Sequence, residues 1–425
     1  MRLPGAYGEL LKSRQMRLLL AGLGVSSLGD GISTVTVAWL AVATAPEGSL
    51  GLFVGLAIAA YTLPGVIGAL ALGGILRGRP ARTLVLIHCL LRATCLGLIA
   101  SLAAIGGLTP VAFLVLLATS SLMAAWGNAG EYTMLSALAG ENGRFAVNSL
   151  ASAQTSFALI IGPVVAGLLL VSLSPGWLLL FDALSFAFLG VAAWLTRTDA
   201  GAAKGPVDMQ AAESGFRLLR RRDLLSLTAV TWVFFFLYGP VEVALPVYVA
   251  VDLQDSAPLL AAYWTAFGVG ALASNLLTGA MRARNIRRIA LLIVAGWGAC
   301  LIPFAVAPVP VTLVFFALGG VIYGPFIPLT YALFQSATPT HNLPAVLAAR
   351  SAVVMLSTPL GTALGGPIVG LIGATWTLVA SGVATMLLAA AAAVFWRGTV
   401  QVASGSESGS EVGSLRLESN RRYSE

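Results

Sequence analysis

The sequence has little charge for its length. Asp, Glu, Lys and Arg together make up 10% of its 425 residues, whereas charged residues make up about 25% of a soluble domain. A soluble protein of this size could not cover its surface with so few charges, which excludes a soluble enzyme, a secreted disulfide-rich domain and a disordered chain. Hydrophobic residues make up 58%, and the mean hydropathy is +0.91. The composition predicts a membrane protein with many spans.

Residues that bind metals or form disulfides are also scarce. The three cysteines, Cys89, Cys95 and Cys300, lie inside apolar runs, and the two histidines, His88 and His341, lie far apart. This spacing excludes a zinc-type ligand set and a disulfide framework. The sequence has no Gly-x-x-x-x-Gly-Lys-(Ser/Thr) loop for ATP phosphates and no recognisable nucleophile arrangement. We therefore expect a protein that is not an enzyme and that holds no metal or other cofactor.

Twelve apolar runs are long enough to cross a bilayer, which takes about 20 residues. Their lengths predict helices, because barrel strands would be about ten residues long with strict alternation. The first run is too long for a signal peptide and carries Asp30 at its middle, so we expect it to remain as a span. The runs cover residues 17–42, 50–76, 84–106, 110–137, 147–172, 176–196, 223–251, 257–281, 289–307, 310–336, 346–371 and 374–396.

The basic residues fall on one side of the predicted membrane. If the spans alternate, all but two of the 24 Lys and Arg residues lie at the termini or in loops on the same side as the termini. The exceptions, Arg92 and Arg350, lie within spans, and the opposite loops carry only Glu47, Asp252 and Asp255. Because positive loops stay in the cytoplasm, we expect both termini to be cytoplasmic. The net charge of +7 thus belongs to membrane orientation and not to nucleic-acid binding.

Two short motifs recur about half a chain apart. Residues 74–82, GILRGRPAR, resemble residues 279–287, GAMRARNIR, at an offset of 205 residues (77 to 282). Residues 162–165, GPVV, return as residues 366–369, GPIV, at an offset of 204. Two matching offsets predict two six-helix halves in parallel orientation. We place the halves at residues 1–196 and 223–397, with a cytoplasmic linker at 197–222 and a disordered cytoplasmic tail at 398–425.

Several further stretches carry a family resemblance. They are residues 23–31 (LGVSSLGDG), 148–150 (NSL), 181–186 (FDALSF), 215–222 (GFRLLRRR) and 239–246 (GPVEVALP). In this order, over residues 10 to 397, the sequence resembles the major facilitator superfamily, and within it the twelve-span drug and macrolide efflux branch that includes Tap-like multidrug exporters. The resemblance implies an all-α fold of two pseudo-symmetric halves that rock around a central site. It also implies a small-molecule substrate, the proton gradient as energy source, a monomer, and the inner (plasma) membrane.

The sequence departs from the family at the loop between spans two and three. The family pattern there is Gly-x-x-x-Asp-Arg, in which the Asp helps to hold the cytoplasmic face shut, but the acidic position is Arg77 here. Arg79 and Arg82 could instead bind carbonyl groups at helix ends. The residues that the resemblance implies for gating are Arg77, Arg79, Arg82, Arg282, Arg284 and Arg287. Those that we expect to allow close helix packing are Gly162, Pro163, Gly167, Gly366 and Pro367.

Two acidic residues within spans are candidates for proton or substrate coupling. An ionisable residue inside a bilayer costs at least about 2.5–3.5 kcal/mol and so needs a reason. Asp30 lies at the middle of span one, and Glu242 lies in span seven between Pro240 and Pro246, where we expect a broken helix. The resemblance implies that spans one, four, seven and ten line the cavity. Two alternatives are a hydrogen bond from a nearby serine to Asp30 (Ser26, Ser27 or Ser33) and a helix-cap role for Glu242.

Arg92 and Glu131 are expected to form an intramembrane ion pair. Each lies six to eight residues from the cytoplasmic end of its span, three or four, so antiparallel neighbours would bring them to a similar depth. His88 lies one helical turn from Arg92 and could join the pair. Asp182 lies close to the outer end of span six, where solvation at the interface is enough to explain it.

Aromatic residues near proline in span ten suggest a pocket for large, partly apolar compounds. The alternative for any one of these residues is helix packing or contact with lipid. The expected cavity residues are Trp39, Trp126, Phe235, Tyr238, Trp264, Tyr323, Tyr331 and Gln335.

Taken together, the residues and the resemblance predict a secondary transporter that exports small hydrophobic or amphipathic compounds in exchange for protons. A metabolite or siderophore transporter of narrow specificity, working in either direction, is an alternative. A non-transporting membrane scaffold is a further one, although such a protein would be expected to carry a large extramembrane domain.

Overall fold

The computed structural model describes residues 10–196, 201, 209–278, 286–339 and 342–396. These residues include no β-strand, and twelve helices are long and apolar enough to cross a membrane, which confirms the predicted all-α twelve-span fold. The predicted gating residues Arg282 and Arg284 and the tail 398–425 lie outside the described residues. The helices are α1 Arg14–Thr44, α2 Leu50–Ala71, α3 Ala81–Ala104, α4 Pro110–Gly140, α5 Ala146–Leu170, α6 Pro175–Leu195, α7 Arg222–Asp252, α8 Ala257–Ser274, α9 Ile286–Ala305, α10 Val309–Ala337, α11 Ala345–Ile372 and α12 Ala374–Trp396.

Helices α4 and α10 are interrupted at equivalent places. The first segment of α4 ends at Ser121 and the next begins at Ala124, whereas the first segment of α10 ends at Tyr323 and the next begins at Phe326. In α10 the interruption falls at Gly324-Pro325, where proline removes a backbone donor. Interrupted helices at corresponding positions of two halves are typical of transporters built from repeats.

Within each half, helices pack through glycine. A Cβ atom on Gly162 of α5 would lie 2.5 Å from the Cα of Gly31 of α1, which leaves no room for a side chain. In the second half, a Cβ on Gly239 of α7 would lie 2.7 Å from the Cα of Gly361 of α11. Backbones that approach this closely gain dispersion contacts that a lipid-facing helix lacks. Pro163 and Pro367 lie within the helices that carry these contacts.

The two halves meet through the helix pairs α2–α11 and α5–α8. A Cβ on Gly51 would lie 2.8 Å from Val369, and one on Gly55 would lie 2.7 Å from Gly366. In the other pair, a Cβ on Gly167 would lie 2.5 Å from Ala261. All of these residues lie at one end of the bundle, opposite the end at which α1 begins. We call this the distal end of the bundle, and we call the end at which α1 begins the terminal end.

The loop between α2 and α3 lies at the terminal end, and two of its glycines have free space around them. A Cβ on Gly74 or Gly78 would meet no atom within 4 Å. Arg77 and Arg79 are exposed, and the Arg82 guanidinium donates a hydrogen bond to the carbonyl of Trp194 near the end of α6. Arg82 therefore binds a helix-end carbonyl as the sequence suggested.

Candidate functional site

Asp30 of α1 is held by two side chains from neighbouring helices. Arg92 Nη2 of α3 donates to Asp30 Oδ1 at 2.8 Å, and the hydroxyl of Tyr61 of α2 donates to the same oxygen at 3.0 Å. The guanidinium also stacks on the rings of Tyr61 and Phe186, at 4.6 and 4.9 Å from their centroids. The Arg92 side chain is 7% exposed and that of Asp30 is 44% exposed. The Asp30 carboxylate, near the middle of α1, is therefore partly exposed and binds a buried cation.

The predicted Arg92–Glu131 ion pair is wrong, because Arg92 pairs with Asp30. Glu131 is 6% exposed and forms no hydrogen bond or ion pair with any described residue, although Asp30 and Arg92 lie within electrostatic range of it. The depth argument placed Arg92 and Glu131 correctly along the membrane normal but did not include α1, which supplies a closer carboxylate. His88 is buried and meets the ring of Phe186 edge-on at 5.3 Å, and its Nδ1 has no hydrogen-bond partner in the described part of the chain.

The interpretation of Asp182 as an interfacial residue is also wrong, since its side chain is fully buried. Ser33 Oγ of α1 donates to Asp182 Oδ2 at 2.5 Å, and Ser185 Oγ lies 3.2 Å from Oδ1. Ser33 thus hydrogen-bonds to Asp182 and not to Asp30. Ser26 donates a hydrogen bond to the carbonyl of Leu23 at 3.1 Å. The prediction for Asp182 used only its distance from the helix end and so missed the contact with Ser33. Ser185, one helical turn after Asp182, was a sequence signal for a polar site at this position.

Three carboxyl groups and one guanidinium therefore lie close together in the first half, and all of them except the partly exposed Asp30 are buried. Asp30 comes from α1, Glu131 from α4 and Asp182 from α6, and all three interact electrostatically with Arg92 from α3. We call these four residues the carboxylate cluster. One cation cannot neutralise three ionised acids, and an uncompensated charge is costly inside a membrane. Three ionised carboxyl groups beside one guanidinium would therefore leave uncompensated charge inside the bundle.

Glu242 is the corresponding acidic residue of the second half. Thr362 Oγ1 of α11 donates to Glu242 Oε2 at 3.1 Å, and Glu242 interacts electrostatically with Tyr238 and Tyr323. The expected break in α7 is not present, because an α-helix continues from Arg222 to Val247 through both prolines. Glu242 lies inside this helix, so it is not a helix cap. It is half-buried at the edge of an aromatic cluster.

Four of the predicted pocket residues come together in that aromatic cluster. The ring of Tyr323 lies 5.5 Å from that of Tyr238 and 6.4 Å from that of Phe235, and Trp264 joins through Phe267 at 6.2 Å. The sequence analysis missed five members, which come from α7 to α10, and of these only Phe326, next to Pro325, lies beside a proline. They are Phe234, Phe267, Trp297, Phe316 and Phe326.

The other predicted pocket residues lie elsewhere. Trp126 is buried, and its Nε1 donates to the carbonyl of Gly68 at 3.0 Å, so it packs α4 against α2. Trp39 is half-buried against the apolar core of the bundle. Tyr331 lies against Arg350, and Gln335 is exposed one turn further along α10. Arg287 lies 3.7 Å from Asp223 at the terminal end. No group of three possible metal ligands occurs within the described ranges.

Comparison with known proteins agrees with this arrangement. The profile of the Major Facilitator Superfamily matches residues 19–284 and 230–421. The chain belongs to the major facilitator superfamily. It is 28% identical over 400 residues to the multidrug efflux pump Tap of Mycolicibacterium fortuitum, covering 90% of this chain and 96% of that protein. It is 26% identical over 383 residues to the multidrug efflux pump Tap of Mycobacterium tuberculosis (strain ATCC 25618 / H37Rv), covering 85% and 89%.

Solved structures of the superfamily share the fold. The crystal structure of the nucleoside transporter NupG superposes with a TM-score of 0.63 at 16% identity, over 90% of this chain and 99% of that one. That of a D-xylose-proton symporter gives 0.62 at 16% identity, over 88% and 96%. The chain is therefore a multi-pass membrane transporter with two six-helix halves, and the resemblance to drug efflux pumps found in the sequence is confirmed.

Proposed function

We propose that this transporter exports small hydrophobic or amphipathic compounds in exchange for protons, from a plasma membrane in which both termini face the cytoplasm. The Tap relatives, which are named multidrug efflux pumps, match this chain over most of its length. The observation that carries the proposal is the carboxylate cluster, in which a partly exposed Asp30 is bound to a buried Arg92. Such a pair can exchange protons with water and change the charge of the interior.

The coupling step that we propose starts at Asp30. A proton bound to Asp30 removes the charge that attracts Arg92, and the guanidinium then needs another anion because it stays buried. Glu131 and Asp182 lie within electrostatic range of Arg92. Arg92 would therefore shift its interaction toward one of these carboxylates, and this movement would link the protonation of α1 to the positions of α4 and α6.

The substrate would bind at the aromatic cluster of the second half. Phe235, Tyr238, Trp264 and Tyr323 are half-buried, so their rings form an open apolar edge beside Glu242. A carboxylate next to aromatic faces suits a compound with a cationic or hydroxyl group on an apolar body. Since the two halves contact each other closely at the distal end, we propose that the substrate enters from the terminal end, on the cytoplasmic side.

The experiment is substrate-driven proton movement in proteoliposomes, with a panel of macrolides, tetracyclines and cationic dyes. We expect proton counter-flow with at least one compound and its loss in Asp30→Asn and Glu242→Gln. The control is Asp252→Asn at the distal end, where the carboxylate accepts a hydrogen bond from Thr375 Oγ1 at 2.5 Å. Full proton-coupled transport by a well-folded Asp30→Asn variant would refute the coupling step. No transport of any panel compound by folded protein would favour an exporter of narrow specificity.

A further inference from the structure

The second half contains a buried arginine that differs from Arg92 in one respect. Arg350 of α11 is 4% exposed, and no carboxylate of the described residues lies within 4 Å of it. In the described part of the chain, Nη2 donates a hydrogen bond to Thr330 Oγ1 of α10 at 3.3 Å, the Tyr331 side chain lies within hydrogen-bonding range of the guanidinium, and Nε has no partner. Arg92 is held by Asp30, whereas Arg350 has no carboxylate partner among the described residues.

Two aromatic rings lie against the Arg350 guanidinium. Its central carbon lies 4.4 Å from the centroid of Tyr331 and 5.2 Å from that of Phe334. Stacking on rings lowers the cost of burying the cation, but it does not satisfy the N–H donors. A neighbouring Thr330 hydroxyl is a neutral acceptor, and at 3.3 Å it makes a long hydrogen bond. The guanidinium therefore retains unused capacity to bind an anion.

The linker helix covers one side of Arg350, and the half-buried ring of Tyr331 covers another. The linker helix Met209–Leu219 packs on α11, where a Cβ on Gly215 would lie 2.9 Å from the side chain of Ala349. On α10, Tyr331 is half-buried, and Gln335, one turn nearer the terminal end, is exposed. Of the groups around Arg350, the Tyr331 ring is thus the most exposed, and a ligand would reach the guanidinium past this ring, from the terminal end.

We propose that Arg350, Thr330 and Tyr331 form a binding site for the oxyanion headgroup of an amphipathic molecule, such as a phosphate or sulfate monoester or a carboxylate. The planar guanidinium can donate two parallel hydrogen bonds to such a group, and the Tyr331 hydroxyl can donate a further one. The Thr330 hydroxyl donates to the carbonyl of Ile327 at 2.8 Å and accepts from Arg350, so it orients the guanidinium. The rings of Tyr331 and Phe334 would contact the apolar part next to the headgroup. The site is separate from the carboxylate cluster and from Glu242, and binding can be measured without transport.

The test uses the purified full chain in dodecyl maltoside, with dodecyl phosphate as the probe. We expect dodecyl phosphate to raise the melting temperature with a saturable concentration dependence. We expect Arg350→Gln to weaken binding at least about tenfold, since it removes the charged donor. Arg287→Gln is the matched control, because Arg287 is a partly exposed cytoplasmic arginine of the same half that already has Asp223 as partner. Equal loss in Arg287→Gln would mean general charge attraction and would overturn the proposal.

A second variant keeps the test decisive if Arg350→Gln does not fold. Thr330→Val preserves shape and removes one hydroxyl, so we expect a folded protein that binds dodecyl phosphate about three- to tenfold more weakly. Affinities unchanged within about twofold in the folded variants would refute the site. Dodecyl trimethylammonium should give no Arg350-dependent shift. A shift with inorganic phosphate as large as that with dodecyl phosphate would refute the amphipathic part of the proposal.

Two further arms identify the natural source of the ligand. In nanodiscs of phosphatidylglycerol, a lipid headgroup at the site would compete with dodecyl phosphate, and the competition would disappear in phosphatidylcholine nanodiscs. If phosphatidylglycerol does not compete, the ligand is a soluble or transported amphiphile, and uptake of dodecyl phosphate into inside-out vesicles should then depend on Arg350. Either result supports the site and assigns its source.

Discussion

The guanidinium of Arg92 lies among carboxyl groups that three different helices supply. Its ion pair with Asp30 joins α1 to α3, and the other two carboxyls are near enough to attract it. Removing one partner of such a pair is costly, because it leaves the buried guanidinium without its anion. At the scale of single residues, the proposed coupling step makes the charge state of Asp30 decide which helix Arg92 binds.

A double-mutant cycle on this pair gives the first prediction. Asp30→Asn leaves Arg92 buried without its anion, and we expect a loss of about 2 kcal/mol or more in stability, between the values for exposed and buried pairs. Adding Arg92→Gln should restore part of that loss, because the uncompensated cation is removed. Thermal unfolding in detergent measures both. Strictly additive losses would mean that the two residues do not interact.

At the scale of helices, close packing depends on glycine where α1 crosses α5. The backbones of Gly31 and Gly162 are so near that a methyl group on Gly162 would also lie 2.8 Å from the Ile32 nitrogen. Neither helix can move away freely, because α1 also packs against α6 through Gly22 and Gly29.

The second prediction concerns this crossing. Gly162→Ala should destabilise the protein by about 1–3 kcal/mol, since overpacking forces the backbones apart. Gly74→Ala is the control, because a Cβ there meets nothing within 4 Å, and its melting temperature should stay close to that of the wild type. Equal melting temperatures for the two variants would contradict the packing seen between α1 and α5.

The helices themselves could be predicted because apolar length is a local property. All twelve spans, and the halves implied by repeats such as Arg77 with Arg282, follow from the sequence alone. The partners of ionisable residues could not be predicted, because they depend on which helices are neighbours. Asp182 looked interfacial by its position in α6, but α1 passes beside it and Ser33 binds it. Likewise, two prolines in α7 suggested a break that the packing against α11 does not require.

At the scale of the whole molecule, the two halves contact each other at the distal end. The contacts join α2 to α11 and α5 to α8, and each pair contains at least one glycine. A transporter that releases its substrate at the distal end must separate these helices, so the contacts must form and break in every cycle.

The third prediction uses Gly51 and Val369, where a Cβ on Gly51 would lie 3.0 Å from that of Val369. In a chain whose three native cysteines are replaced by alanine, Gly51→Cys with Val369→Cys should form a disulfide under mild oxidation. We expect oxidation to abolish transport and a reductant to restore it, because the distal end cannot open while cross-linked. Each single-cysteine variant should be insensitive to oxidation. Continued transport by the fully cross-linked protein would show that the distal contact does not open.

The glycines at the distal contact also bear on how fast the halves can part. Where Gly55 faces Gly366, the surfaces that separate are bare backbone, with no side chains at that point that must change rotamer before they come apart. Interlocked side chains would add an activation barrier at that step, whereas smooth surfaces leave mainly the slow displacement of whole helices, which takes microseconds to milliseconds. Turnover would then be limited mainly by that displacement of whole helices, and a bulky residue at Gly55 would slow the transporter even where it did not weaken substrate binding.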